Sequence, residues 1–312
     1  MINEGKYFNH LAEVGEKITE KAKKISLPFF EGVPLYDVAL FFWRSIVDGS
    51  ITTRASAIAF SFFIAFFPFV IFLFTLIPYI PIKNFQTELL ILIQDFMPSG
   101  TYFAIENTVE DIITQPRGDL LSFGFFTALI FSTNGIAAMM SAFDATIHAI
   151  HRRSWLSQRL AAIVILIILS LMLTLVVALF TSGQILIQDL QNSDILHAGI
   201  TVPLITIVKW IIILTLLFFT YSFLYYMAPA KKTKWRFISA GGTLATILSV
   251  ISFIGFSYYI NNFNQYNKLY GSIGTLLVIL LLMYLMSLIL LIGFELNASI
   301  HQAKNEYEYE DW

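Results

Sequence analysis

Three polar side chains stand in apolar stretches where each costs free energy to bury. Glu295 lies in Gly293-Phe294-Glu295-Leu296-Asn297, Arg54 in Thr52-Thr53-Arg54-Ala55, and Asn134 in Ser132-Thr133-Asn134-Gly135. A lone charge deep in an apolar helix costs on the order of 3 kcal/mol unless it finds a partner or a wet cavity. Two chemistries follow for Glu295. It can form an ion pair that fixes one helix to a neighbour, Arg54 being one candidate, or it can line a route for a substrate or a proton. Leu291, Ser287 and Tyr284 share its helix face. Arg54 can snorkel to an interface, or it can grip a phosphate through the bidentate donors of its guanidinium. Asn134 has Thr127 and Ser141 seven residues to either side on one face. That stripe suits interhelical hydrogen bonds, or the wall of a polar cavity. Pro68, in Phe66-Phe67-Pro68-Phe69, removes a helix hydrogen bond and should kink its helix, as static packing or as a gate.

Other candidates cluster towards the ends of the apolar stretches. Asp144 and His148 are one helical turn apart, but two ligands without a third make no metal site. Asn297 follows Glu295 by two residues. Tyr266 and Tyr270 flank Asn267 and Lys268; they suit an interfacial aromatic belt or contact with a sugar or headgroup. Arg152, Arg153, Lys231, Lys232, Lys234 and Arg236 form two basic loops. They read as orientation markers, with lipid-headgroup binding as the second reading. The chain has no Cys, which excludes disulfides, thiolate metal sites and a Cys nucleophile. It has no Gly-x-x-x-x-Gly-Lys-Ser/Thr loop for a nucleotide, and no motif joins its Ser, His and Asp residues. No cofactor is expected.

The elements that must hold these residues are membrane helices. Of the 312 residues, 57% are apolar and 13% charged, against roughly 25% charged in soluble domains. Six stretches free of Asp, Glu, Lys and Arg reach the ~20 residues needed to span ~30 Å of hydrocarbon. They must be helical, because lipid offers no partner to an open backbone. The expected fold is an all-α polytopic bundle with spans at about 55–82, 120–143, 160–182, 207–228, 238–260 and 272–294. All 19 Lys and Arg residues except Lys83, Arg117, Lys209 and Lys268 then fall on one side. By the positive-inside rule that side is the cytoplasm, with both termini in it. The chain divides into a polar tail, 1–33, a membrane domain, 34–302, and an acidic tail, 303–312, expected to fray from Glu306 to Trp312. Within the membrane domain, 34–54 reads as an amphipathic helix on the inner leaflet, and 83–118 as two short amphipathic helices capping the outer face. No cleavable signal segment is expected, because 1–33 has no apolar core.

Several segments together resemble the YihY/BrkB family of bacterial inner-membrane proteins. They are Arg54-Ala55-Ser56-Ala57-Ile58-Ala59-Phe60 through Phe67-Pro68, Arg152-Arg153-Ser154, Pro229, Trp235-Arg236, Tyr266-Asn267-Lys268-Leu269-Tyr270-Gly271-Ser272-Ile273-Gly274, and Leu291-Ile292-Gly293-Phe294-Glu295-Leu296-Asn297-Ala298. The resemblance implies a six-helix protein of the cytoplasmic membrane. Family members carry the labels virulence factor, serum-resistance protein and ribonuclease BN, and some are connected with envelope lipid or lipopolysaccharide movement. A metal-dependent ribonuclease needs clustered ligands and a basic groove for RNA. This chain has five scattered His and no such groove, so no nucleic-acid partner is expected.

Three functions compete on the sequence. The first is a transporter-like protein that moves or accommodates an amphipathic lipid or envelope precursor, with membrane lipids as partners. Arg54, Asn134, Glu295 and the Pro68 kink motivate it. The second is a non-transporting scaffold for envelope-assembly proteins, acting through its tails or as a homo-oligomer. The third, a membrane enzyme, has the least to support it.

Overall fold

The structure is a computed structural model. It describes residues 25–79 except 28, 29, 31 and 49, then 116, 118–146, 153–192, 198–230, 239–262 and 272–310. The expected outer cap, the polar tail before residue 25 and both lysine- and tyrosine-bearing loops lie outside the described residues.

Every regular element among the described residues is helical. We number them α1 (Leu35–Asp48), α2 (Ile51–Leu76), α3 (Gly118–Thr146), α4 (Trp155–Asn192), α5 (Ala198–Met227), α6 (Ala240–Asn262) and α7 (Ser272–Glu310), with a 3-10 turn at Ile77–Tyr79 after α2. Helices α2 to α7 each contain a stretch long and apolar enough to cross a membrane. The all-α, six-span architecture read from hydropathy is thus what the chain builds.

The helix limits differ from the expected spans in an instructive way. Helix α2 begins at Ile51, so Arg54 sits inside its first turn rather than at the end of the amphipathic helix expected over 34–54. It runs on through Pro68 without interruption. Helices α4 and α7 have 38 and 39 residues, about twice what the hydrocarbon requires. Helix α7 continues to Glu310, so most of the acidic tail expected to fray is the last part of a helix. Charge-free windows mark where a helix lies in lipid, and a helix does not have to stop where lipid does.

The six long helices pack in chain order, each against the next, and α7 closes the circle against α2. Contacts from Arg54 to Thr146, from Gln158 to Ser141, from Arg153 to Ala228 and from Gly241 to Asn297 gather the start of α2, the end of α3, the start of α4, the end of α5 and the start of α6 at one end, so consecutive helices run antiparallel. We call it the Arg54 end. The main apolar core lies there, built from Ala55 and Ile58 of α2, Met139 and Phe143 of α3, and Leu291 and Phe294 of α7, among others. Towards the opposite end the described side chains are largely exposed, as with Leu173, Leu204, Ile211, Phe253, Ile254 and Leu276. Helix α1 is amphipathic, as expected. It buries Val38 against Ile300 and Ala303 of α7, with Phe30 and Val33 completing this second cluster, and it leaves Trp43 and Val47 exposed.

Candidate functional site

Glycine lets α6 and α7 come close enough to place the site. A Cβ on Gly241 would lie 1.9 Å from the Gly293 carbonyl oxygen, and one on Gly293 would lie 2.3 Å from the Tyr225 hydroxyl. Asn297, one turn further along α7, accepts a hydrogen bond from the Gly241 N–H at 2.8 Å and donates to Ser239 Oγ at 2.5 Å. Ser239 in turn accepts from the Gly242 N–H at 3.2 Å. Ser239 is therefore the N-cap of α6, and Asn297 is a second cap supplied by the neighbouring helix. Together they satisfy two of the N–H groups that a helix start leaves open. The sequence marked Asn297 as a pathway candidate; the structure gives its amide this capping role.

With α7 fixed in this way, Glu295 points into the contact between α7, α2 and α3. It is 1% exposed. Its Oε1 lies 2.5 Å from Arg54 Nη2 and accepts a second hydrogen bond from the Thr146 hydroxyl at 2.8 Å. Arg54 Nη1 donates to Thr146 Oγ1 at 2.5 Å and to the Ala142 carbonyl at 2.9 Å. A cation among the last residues of α3 also faces the negative end of that helix dipole. Phe143 and Phe294 stack beside the pair at 4.0 Å between ring centres, with Tyr225 edge-on to Phe143. The Tyr225 hydroxyl donates to the Leu290 carbonyl at 3.0 Å.

The cluster is not fully satisfied. Arg54 Nε and Glu295 Oε2 are buried without a hydrogen-bond partner. Removing two charges from solvent is costly, and their attraction repays it only when the remaining donors and acceptors are also met. The Arg54–Glu295 pair was one of the two readings open for Glu295 in the sequence. Thr146, which bridges the two, carries no sequence signal that would single it out.

The other candidates divide between structural bonds and the surface. Asp144 Oδ1 accepts the Ala230 N–H at 2.7 Å. Arg153 donates to the carbonyls of Met227, Ala228 and Pro229 at 3.2, 3.0 and 2.9 Å. These two side chains close the C-terminal end of α5, whose last carbonyls would otherwise lack partners. Arg153 therefore spends at least part of its guanidinium on backbone. Asn134 accepts from Arg159 Nη1 at 2.8 Å, an arginine that the sequence reading did not single out. Its position four residues into an apolar helix is the signal that could have set it apart. Pro68 is well removed from the ion pair along α2. Arg152, Lys231, Lys232, Lys234, Arg236, Tyr266 and Tyr270 lie outside the described residues, as does His148.

The fold and this buried pair define a polytopic α-helical membrane protein whose helices are locked at one end by charge. The family model described as Virulence factor BrkB matches residues 42–312, most of the chain, and the protein belongs to that family. It is also similar to the protein named "Putative ribonuclease-like protein YfkH" of Bacillus subtilis (strain 168). The two are 28% identical over 201 residues, which take in 62% of this chain and 70% of the relative. No solved structure matches the chain.

Proposed function

We propose that this protein transports or accommodates an amphipathic lipid or envelope precursor in the bacterial cytoplasmic membrane, with the Arg54–Thr146–Glu295 cluster as the latch that closes the cytoplasmic end. The observation that carries the reading is the incompletely satisfied ion pair across α2, α3 and α7. An apolar contact of the same size would seal these helices at lower desolvation cost. A charged seal has a different property: it can open when either charge acquires a competing partner, such as a phosphate for Arg54 or a proton for Glu295. The uneven packing supports the same reading. The described side chains are tightly buried around the latch and largely exposed towards the other end, which suits a bundle closed on one side. The cytoplasmic assignment of the Arg54 end rests on the Lys and Arg distribution.

The ribonuclease-like name belongs to the Bacillus relative, and the acidic residues of this chain do not favour that activity. The two acidic residues near the Arg54 core that the sequence singled out lie apart in role: Asp144 accepts the Ala230 N–H, and Glu295 is 1% exposed and pairs with Arg54. A hydrolytic mechanism would require carboxylates free to bind metal or move protons.

The test is movement of a fluorescent phospholipid between leaflets of proteoliposomes. Wild-type protein should accelerate it, and Glu295→Gln, which mimics the neutral carboxyl and cannot re-form the charged seal that each cycle needs, should lower the rate by about tenfold, the effect of changing a barrier by ~1.4 kcal/mol. Wild-type vesicles that behave like protein-free vesicles with every lipid tried would overturn the reading.

A further inference from the structure

Arg159 is a charge on the lipid-facing side of the bundle whose described partners are all neutral. Its Nη1 donates to Thr133 Oγ1 at 2.7 Å and to Asn134 Oδ1 at 2.8 Å. Its guanidinium carbon lies 5.9 Å from the centre of the Trp155 ring. The neighbouring Gln158 amide donates to Ser141 Oγ at 3.2 Å and to the Ala137 carbonyl at 3.3 Å. These contacts run along the seam between α3 and α4, and Asn134 and Ser141 are both exposed there.

Depth makes this seam unusual. Asn134 is twelve residues before the end of α3 at Thr146, ~18 Å along the helix at 1.5 Å per residue. A basic side chain one turn into a span ordinarily runs back to the interface. This guanidinium is instead held one turn further into the bundle than the Gln158 amide. An arginine inside the membrane region is costly without a counter-charge, and Thr133 and Asn134 supply dipoles only. The surroundings on the same faces are apolar and exposed: Phe126 and Ile130 on α3, and Leu160, Val164 and Ile167 on α4. A ligand here must bring an anion to the guanidinium and hydrocarbon to the flanks.

We infer that the α3–α4 seam binds a phosphate-bearing lipid, its phosphodiester on Arg159 and the Gln158–Ser141 pair and its acyl chains along the apolar flanks. Arginine suits this role because its planar fork can keep Thr133 and Asn134 while presenting other N–H groups to phosphate oxygens. The inference deepens the lipid-handling reading by naming a ligand class and a place, but the site does not require transport to exist.

The test is native mass spectrometry of the full chain in mild detergent, titrated with phosphatidylglycerol and with diacylglycerol of the same acyl chains. Wild type should retain the phospholipid and not the diacylglycerol. Arg159→Gln should weaken retention by about tenfold or more, the usual worth of a charge-assisted hydrogen bond. Asn134→Asp guards against a variant that fails to fold. It gives Arg159 a carboxylate partner, so a purely structural arginine would be held at least as firmly, while phosphate binding should fall by a similar factor. Retention at the wild-type level in Asn134→Asp overturns the site, as does displacement of the phospholipid by millimolar inorganic phosphate, which would mark a free-anion site. The same variants in the leaflet-exchange assay separate the two readings. Binding lost in Asn134→Asp without any wild-type exchange leaves the site standing and removes transport. Exchange with unchanged binding in Asn134→Asp does the reverse.

Discussion

Glu295 shows how much one buried carboxylate can organise. It joins α7 to α2 through Arg54 and to α3 through Thr146. Removing one member of a buried pair leaves the other uncompensated, at a cost of about 3–5 kcal/mol. Arg54→Ala should therefore lower the midpoint of thermal unfolding in detergent well below that of wild type. The double substitution Arg54→Met with Glu295→Leu removes both charges and keeps most of the volume. It should recover most of the lost stability, because both desolvation penalties disappear together. If the pair is a latch, the double variant should be stable and yet defective in lipid exchange. Full exchange activity in that variant would reduce the pair to a structural contact.

At the scale of elements, the α6–α7 contact is set by the absence of side chains. Gly241→Ala would drive a methyl group into the Gly293 carbonyl, a backbone group that cannot swing aside, and against the Asn297 side chain that caps α6. The helices would have to separate, carrying Asn297 away from the α6 N-terminus and Glu295 away from Arg54. Gly255 is in the same helix, and a Cβ there meets nothing within 4 Å. Gly255→Ala should be neutral or stabilising by about 0.5–1 kcal/mol, the usual helix-interior difference between the two residues. The pair of variants is checked by the yield of monodisperse protein and its thermal unfolding. Equal behaviour would show that the close approach is not needed. Asn297→Ala is a milder break at the same joint, and loss of its capping bond should cost about 1 kcal/mol.

At the scale of the whole molecule, the ring of six helices places the C-terminal ends of α2, α4 and α6 away from the Arg54 end. The proposed orientation, which puts the Arg54 end in the cytoplasm, rests on the Lys and Arg distribution. Because the chain has no Cys, a single engineered thiol reports orientation without background. Ser154→Cys, at the exposed start of α4, should react with a membrane-impermeant maleimide in inside-out vesicles and remain unlabelled in intact spheroplasts. Labelling in spheroplasts would invert the topology and move the latch to the outer side.

The sequence by itself determined what lipid demands. Charge-free stretches of sufficient length must be helices that cross, because an unpaired backbone cannot stand in hydrocarbon. Their number, their approximate places and the expense of Glu295 and Arg54 follow from composition alone, and so does the candidacy of those two residues for each other. Tertiary structure decided what depends on which faces meet. That Thr146 bridges the pair, that Asn297 and Arg153 serve as helix caps, that Arg159 reaches Asn134, and that Gly241 faces Gly293 are facts about helix rotation and register. Lipid is nearly indifferent to the rotation of an apolar helix, so the hydrophobic pattern that locates each span says little about its orientation. Close packing and the partners of a few polar atoms fix that orientation, and they do so only when all six helices are in place.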